Sequence, residues 1–308
     1  MNKDHKFLGM GHIPVLLQEV MELLNPQSGE FFIDGTLGGG GHAIEILKRI
    51  APSGKFVGVD MDAQAILRFV EKVQKECRGI LPETSFFITQ SNYACIPDIL
   101  EEKKMSKADG LIIDLGFSSY QIDDSERGFG FRIDGPLDMR YGGFGIKAED
   151  VINTYSETEI ANIIFRYGEE RFSRRIASAI NRARQKKKIE TTRELAEIVL
   201  NAYPMRQKHR RIHPATKTFQ ALRIFVNNEL ENLETALKFL PIIMRKGGRV
   251  SIISFHSLED RMVKEAFKNL KKLGYVEIMT KKPITPTLEE VEKNPRSRSA
   301  KLRVIQFI

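Results

Sequence analysis

The sequence predicts an α/β fold: a doubly wound parallel sheet, discontinuous in the chain and interrupted by an all-helical insert. Three observations carry this. Short apolar runs alternate with helix-like stretches from Phe31 to Leu115. From about Ala148 to Ala202 only helical spacing is found, as in Ile160/Ile163/Ile164 and Leu195/Ile198/Val199. Strand-like runs then return with Arg249 to Ser254, behind the Gly247-Gly248 turn.

Taken in order, His12 to Leu24 reads as a helix with Pro14 in its first turn and Val20, Leu23 and Leu24 on one stripe. Phe31 to Asp34 is a strand, Ala43 to Ile50 a helix, and Lys55 to Val59 a second strand ending at Asp60. Asp62 is placed to cap a helix over Ala63–Lys75. Ser85–Thr89 is a third strand, Ile96–Lys104 a helix, and Gly110–Leu115 a buried fourth strand. Gln121 to Gly145 is rich in glycine and charge and reads as a long ordered loop, a length more often functional than idle. Tyr275–Thr280 and Lys301–Phe307 are expected to close the sheet. The predicted division is 1–122 and 214–308 for the sheet domain and 123–213 for a basic helical insert.

Composition narrows the function. The chain has 308 residues and 42% hydrophobic content, enough for a real core. No apolar run approaches the ~20 residues of a membrane span, and Met1–Met10 lacks the apolar stretch of a secretory signal. Cys77 and Cys95 are too few for a disulfide scaffold or a zinc site. The expectation is a cytoplasmic protein. Net charge is +8, yet Arg166–Arg223 alone holds 16 Lys/Arg against 5 Asp/Glu, leaving the remainder at −3. Acids are too scarce there to balance the excess by i,i+4 pairing, so the segment is expected to meet nucleic-acid phosphates rather than serve only as a solvated helical face.

The densest chemical signal is Gly38-Gly39-Gly40-Gly41, between the first strand and helix. A glycine run there lets the backbone come close to a ligand, and Asp60, about 20 residues on, can accept from two ribose hydroxyls. A nucleoside cofactor follows. The spacing is not the Gly-x-Gly-x-x-Gly of dinucleotide folds, and Asp34 would repel a pyrophosphate while compensating a sulfonium or amino group. S-adenosylmethionine is therefore favoured over a nicotinamide nucleotide. Four strand ends should converge on the ligand: Asp34-Gly35, Asp60, Gln90 to Tyr93, and Asp114 to Ser119. Asn92 could read an adenine edge and Tyr93 could lie on its face or be core. The carboxylates Asp34, Asp60 and Asp114 could instead suggest a divalent metal, but strand ends explain their spacing and no metal is expected.

Eight motifs then fall in order: His12-x-Pro-Val-Leu-Leu, Asp34-Gly-Thr-x-Gly-x-Gly-Gly-His42, Asp114-Leu-Gly-x-Ser-Ser, Glu126-Arg-Gly-Phe, Gly135-Pro-Leu-Asp-Met-Arg140, Tyr167-Gly-Glu-Glu-Arg171, His213-Pro-Ala-Thr-x-Thr-Phe-Gln220 and Ser251-Ile-Ile-Ser-Phe-His-Ser-Leu-Glu-Asp260. Together, from about His12 to Leu302, the chain resembles the bacterial small-subunit ribosomal RNA cytosine-N4 methyltransferases of the RsmH or MraW type. The resemblance implies a Rossmann-like S-adenosylmethionine-dependent methyltransferase domain and methylation of one cytidine in the decoding centre of small-subunit (16S) ribosomal RNA. It places Gly40, Gly41, His42, Asp60, Tyr93, Asp114 and Gln121 at cofactor positions; Tyr93 departs from a frequent Phe. Small-subunit ribosomal RNA or the assembled subunit is the implied partner, no membrane is, and a homodimer is left open. For the chemistry, Asp114 is the candidate acceptor of a hydrogen bond from the cytosine amine, with Ser118 and Ser119 orienting the base. Arg171, Arg174, Arg175, Arg182, Lys186 to Lys188, Arg210, Arg211 and Lys217 are the expected phosphate contacts. A nicotinamide oxidoreductase, a small-molecule or protein methyltransferase and a non-catalytic RNA-binding protein are the rival readings.

Overall fold

In the computed structural model, residues 13–80, 82–116, 119–207 and 213–308 are described, and they form two compact units, one from the described residues up to 116 with 231–308, the other from those between 119 and 230. The first unit opens with α1 (Leu17–Leu24), β1 (Phe31–Asp34), α2 (Gly41–Ile50), β2 (Lys55–Asp60), α3 (Ala63–Glu76), β3 (Phe86–Gln90), α4 (Ile96–Glu102) and β4 (Ala108–Asp114). The second holds α5 (Ser119–Asp123), α6 (Ala148–Thr154), α7 (Glu157–Gly168), α8 (Ser173–Arg184), α9 (Thr192–Ala202) and α10 (Ala215–Val226). The chain then runs through α11 (Glu229–Ile243), β5 (Met244–Ser254), α12 (Ser257–Lys272), β6 (Val276–Ile278), α13 (Leu288–Lys293) and β7 (Lys301–Phe307).

The sheet order is β3-β2-β1-β4-β5-β7-β6. The first five strands are parallel, and β7 runs antiparallel to both its neighbours. The fold class is as expected, a Rossmann-like doubly wound sheet, but its closing pair is not uniformly parallel and β6 is shorter than the predicted 275–280 run. Both faces are covered. Leu233, Leu237 and Leu240 of α11 with Val263 and Phe267 of α12 pack on one, and Val20, Ile46, Leu47 and Phe69 of α1, α2 and α3 on the other. Burial on both sides explains why strands such as Leu111-Ile112-Ile113 read as continuous apolar runs.

The N-terminal helix starts later than its sequence suggests. Leu16 sits in the left-handed region at φ 53°, so the helical ladder begins only at Leu17, and Pro14 lies before the helix, against Gly41. The capping prediction for Asp62 holds: its side chain accepts from the Gln64 N–H.

In the second unit α7 packs on both α8 and α10, and α8 on α9. That packing draws Ala215–Val226 into the insert, so the sheet unit resumes at 231 rather than at 214, and the first crossing falls after 116 rather than after 122. Phe219, Leu222 and Val226, at helical spacing on α10, are buried. The glycine-rich 121–145 segment is ordered through its motifs. A Cβ on Gly128 would lie 2.0 Å from the Pro136 carbonyl oxygen, so that close approach requires glycine. Phe129 stacks on Tyr141 with ring centroids 5.3 Å apart, and the Arg127 guanidinium donates to the carbonyls of Arg140 and Tyr141.

Arg223 and Arg184 are among the basic residues of the insert that have structural partners. Arg223 makes a bidentate pair with Glu229, both at 2.9 Å and both buried, and Glu229 also accepts from the Tyr141 hydroxyl. Arg184 donates to the Ile152 carbonyl. Removing one partner of a buried pair strands the other charge. Arg223→Ala is accordingly expected to cost about 3–5 kcal/mol, read as a fall in the denaturation midpoint of the full chain; an unchanged midpoint would refute the buried role.

Candidate active site

The first unit gathers its acids at the carboxyl ends of β1, β2 and β4. After β1 the chain turns sharply: the Thr36 N–H donates to Asp34 Oδ1 at 2.9 Å, Leu37 N–H to the Val59 carbonyl, and Gly38 N–H to Asp60 Oδ2 at 2.8 Å. Gly40 is left-handed at φ 72°, and a Cβ there would lie 2.6 Å from the Phe69 ring. A Cβ on Gly41 would meet the Pro14 ring at 2.7 Å. Gly40 is thus fixed by backbone conformation and packing and Gly41 by packing alone, and no side chain caps the N-terminus of α2.

Asp60 has one oxygen on Gly38 N–H and the other on Asp62 N–H, each at 2.8 Å. A carboxylate oxygen can accept twice, so both retain a lone pair for a sugar hydroxyl. Burial pushes this carboxyl up to about 6, against the opposing pull of the Asp62 and Gly38 N–H groups. Asp34 is 2% exposed; burial pushes it up to about 7, with the Thr36 N–H pulling down and Asp60 adding repulsion. Asp114 stands well above the ordinary carboxylate range, chiefly from burial, then from Asp34 and Glu259.

Asp114 is held through its backbone, whose N–H donates to the Thr36 hydroxyl at 2.7 Å. Its side chain is 20% exposed, while Oδ1 is buried and has no hydrogen-bond partner among the described residues. His42 Nε2 lies 3.0 Å from the Val15 carbonyl oxygen. A carbonyl only accepts, so Nε2 carries the proton, and Nδ1 lies 4.0 Å from Asp114 Oδ2.

Of the predicted site residues, Gly40, Gly41, His42, Asp60, Tyr93 and Asp114 belong to this unit. Tyr93 follows β3 and packs against the core, beside Gly35. Asn92 differs from expectation: its Oδ1 accepts from the Ala94 N–H at 2.8 Å and its Nδ2 points at Met61 Sδ, so the amide is engaged locally. Gln121 is buried in the second unit, in α5. Ser118 lies outside the described residues, and so does the Ser119 side chain. Arg210 and Arg211 lie outside as well. Arg174, Arg175 and Lys186 are exposed and lie in no described ion pair, whereas Lys187 pairs with Glu194 and Lys188 with Glu149. His213 Nδ1 accepts the Ala215 N–H at the start of α10, a capping role.

Three contributors escaped the sequence reading. Thr36 fixes both Asp34 and Asp114. The Val15 carbonyl sets the His42 tautomer. Glu259 caps α12, accepting from the Phe255 N–H at 2.8 Å, and its charge bears on Asp114. The Glu three residues after His256 was a capping-box signal with His in place of Ser or Thr.

A buried, unpartnered carboxylate oxygen within a mutually repelling acid cluster is costly without a cation. The residues present fit a ligand that brings positive charge to Asp114 and Asp34 and sugar hydroxyls to Asp60. The contribution of Asp60 is tested by Asp60→Ala, which removes both loop anchors and the ribose acceptor. At least a tenfold loss of S-adenosylmethionine affinity by calorimetry is expected, and parental affinity would discount the role.

Among the described residues no helix is long and apolar enough to cross a membrane. The sequence matches the MraW methylase family over residues 9–308. A protein named ribosomal RNA small subunit methyltransferase H from Syntrophobacter fumaroxidans is 43% identical over 311 residues, covering 96% of this chain and 96% of that one. Proteins of the same name from Persephonella marina (46% over 298 residues, 96% and 99% covered) and Koribacter versatilis (46% over 297 residues, 95% and 92% covered) are similarly close.

Proposed function

We propose that this chain, which belongs to the MraW methylase family, methylates the N4 amine of a cytidine in the decoding centre of small-subunit ribosomal RNA. The coarser activity, S-adenosylmethionine-dependent methylation of ribosomal RNA, follows from membership in that family and from near-full-length relatives named for it. The observation that carries the site assignment is Asp114: an acid at the crest of the sheet with one oxygen buried and unpartnered.

S-adenosylmethionine, when bound, supplies the electrophilic methyl group. Asp60 accepts from the ribose, and the loop of Gly38 to Gly41 leaves the backbone bare beside it. Tyr93 offers a ring to the adenine. Gln121 is kept as a cofactor contact on the family resemblance.

The cytosine amine is a weak nucleophile because its lone pair is delocalised into the ring. Asp114 accepts a hydrogen bond from that amine, which localises the lone pair, and is placed to take the proton released on transfer. Its high proton affinity suits a base, and positive charge arriving beside it favours the ionised form. His42 Nδ1 faces the same carboxylate at 4.0 Å, beyond hydrogen-bond reach, so it is an orienting neighbour rather than a proton partner. Ser118 and Ser119 are assigned to orienting the base. The target must leave any stack to reach this crest.

The insert, through Arg171, Arg174, Arg175, Arg182, Lys186 and Lys217, supplies phosphate contacts, and the enzyme acts in the cytoplasm on the subunit or its RNA. The test is direct. Incubation with labelled S-adenosylmethionine and small subunits from cells lacking the enzyme, followed by digestion, should yield labelled N4-methylated cytidine. Label on another nucleoside, or none, refutes the proposal.

A further inference from the structure

We propose that the catalytic unit carries its own phosphate-binding surface, a lysine-walled cavity between α12 and the turn after β6, which takes the backbone of the RNA substrate. This rests on the ribosomal RNA reading and adds a second docking point to it, apart from the basic insert.

The cavity has a volume of about 160 Å³. Lys264 and Lys268, one helical turn apart on α12, form one wall; Lys281 and Lys282 form the other, over a floor that includes Phe267. Arg303 of β7 also lines it, held by Asp260 at 2.7 Å. Among the described residues no acid lines the cavity. The acid nearest in sequence on α12, Glu265, lies 3.4 Å from both Lys264 and Lys268, but all three are substantially exposed, so solvent screens the pairing. Lys281 and Lys282 are exposed and lie in no described ion pair. Two separate elements thus bring four like charges to one hollow. Such convergence is unfavourable in isolation and is relieved by an anion that several of them share.

The strand order places the hollow at the β6 edge of the sheet. Asp114 pairs with Ile253, Ile253 with Leu302, and Leu302 forms a bridge to Ile284. Lys281 and Lys282 precede Ile284 by two or three residues, so they are nearly level with Asp114 along the strand direction. They stand three strand positions away, about 14 Å at the usual strand spacing. A polynucleotide that presents one base to Asp114 can carry its phosphates along the same crest. Pooling the chain outside 166–223, which sums to −3, hides this surface: residues 224–308 alone hold 16 Lys/Arg against 10 Asp/Glu.

The test uses the full-length protein and the triple variant Lys268→Glu/Lys281→Glu/Lys282→Glu. Binding of a small-subunit RNA fragment is measured against salt concentration, alongside S-adenosylmethionine affinity and melting temperature. The expected result is at least tenfold weaker RNA binding at fixed salt and a log–log salt slope shallower by about two, with cofactor affinity and melting unchanged. The double variant Lys281→Gln/Lys282→Gln, confined to an exposed turn, should move the same quantities in the same direction if the triple variant proves unstable. RNA affinity and slope equal to the parent's overturn the proposal. So does a melting shift by inorganic phosphate, at matched ionic strength, that the variant loses while its RNA binding stays parental; that would mark a free-anion site. Failure of the function reading looks different: the parent itself would neither bind the fragment nor label the subunit.

Discussion

Asp114→Asn is expected to lower the turnover of methyl transfer by about 10²–10⁴-fold, the range for loss of a positioned acid–base group, with RNA binding preserved. The substitution keeps size and shape, and the backbone N–H that donates to Thr36 is untouched. The loss is therefore of the carboxylate's charge and its proton acceptance, not of packing, and S-adenosylmethionine affinity measured alongside separates the two. Asp114→Ala should abolish transfer, and activity within tenfold of the parent in either variant would remove Asp114 from the mechanism. In the parent, burial and the charges of Asp34 and Glu259 hold the carboxyl toward its protonated form. Only the ionised form can take up the proton released by the amine, so turnover should fall as pH drops through the pKa of the loaded enzyme. That limb should disappear in the Asn variant, leaving a flat residual rate.

The residues that bear on this experiment were not equally visible in the sequence. Strand ends are legible because apolar runs stop abruptly at Asp34, Asp60 and Asp114, and a parallel sheet puts those ends on one edge. The glycine run was legible for the same kind of local reason. What could not be read was anything that depends on the chain returning from far away. Val15 reaches His42 across 27 positions, and Thr36 reaches Asp114 across 78. Asn92 was misread for a different reason: an Asn ahead of a helical turn is a local capping signal, and its side chain does cap the turn at Tyr93. The reversal of β7 was illegible too, since the same apolar run can pair in either direction.

Charge was legible as a total and misleading in detail. Arg184 and Arg223 contribute to the +11 of the insert but are committed to a carbonyl and to Glu229. The lysines around the α12 cavity belong to a stretch, 224–308, with 16 Lys/Arg against 10 Asp/Glu, which pooling with the acidic 1–165 conceals. Partner choice inside the fold, invisible to counting, decides which cations remain for phosphate.

Asp34→Asn is expected to stabilise the unliganded protein at pH 8 and to weaken S-adenosylmethionine binding at least tenfold. The stability half follows from linkage. The Asp34 carboxyl titrates near 7 in the folded chain, against 3.8 as its ordinary value. Between those values the native state holds a proton that the unfolded chain has released, so stability falls as pH rises through the window. Above pH 7 the whole penalty is present, on the order of 4 kcal/mol for a shift of this size. Asparagine is neutral throughout and can still accept the Thr36 N–H through its Oδ1, so it removes the penalty and keeps the turn. The variant should melt several degrees higher than the parent at pH 8, and the gap should shrink toward pH 6 as the parent takes up its proton. The binding half has the opposite sign because a cationic ligand needs the ionised acid. Parental affinity should fall as pH drops below 7, and binding near pH 7 should release protons, measurable by calorimetry in buffers of different ionisation enthalpy. A variant that melts below the parent at pH 8 and binds the cofactor as tightly would show that Asp34 serves the fold rather than the ligand. The expected pair of results instead identifies a carboxylate retained at a cost to stability because its charge is used only when the ligand arrives.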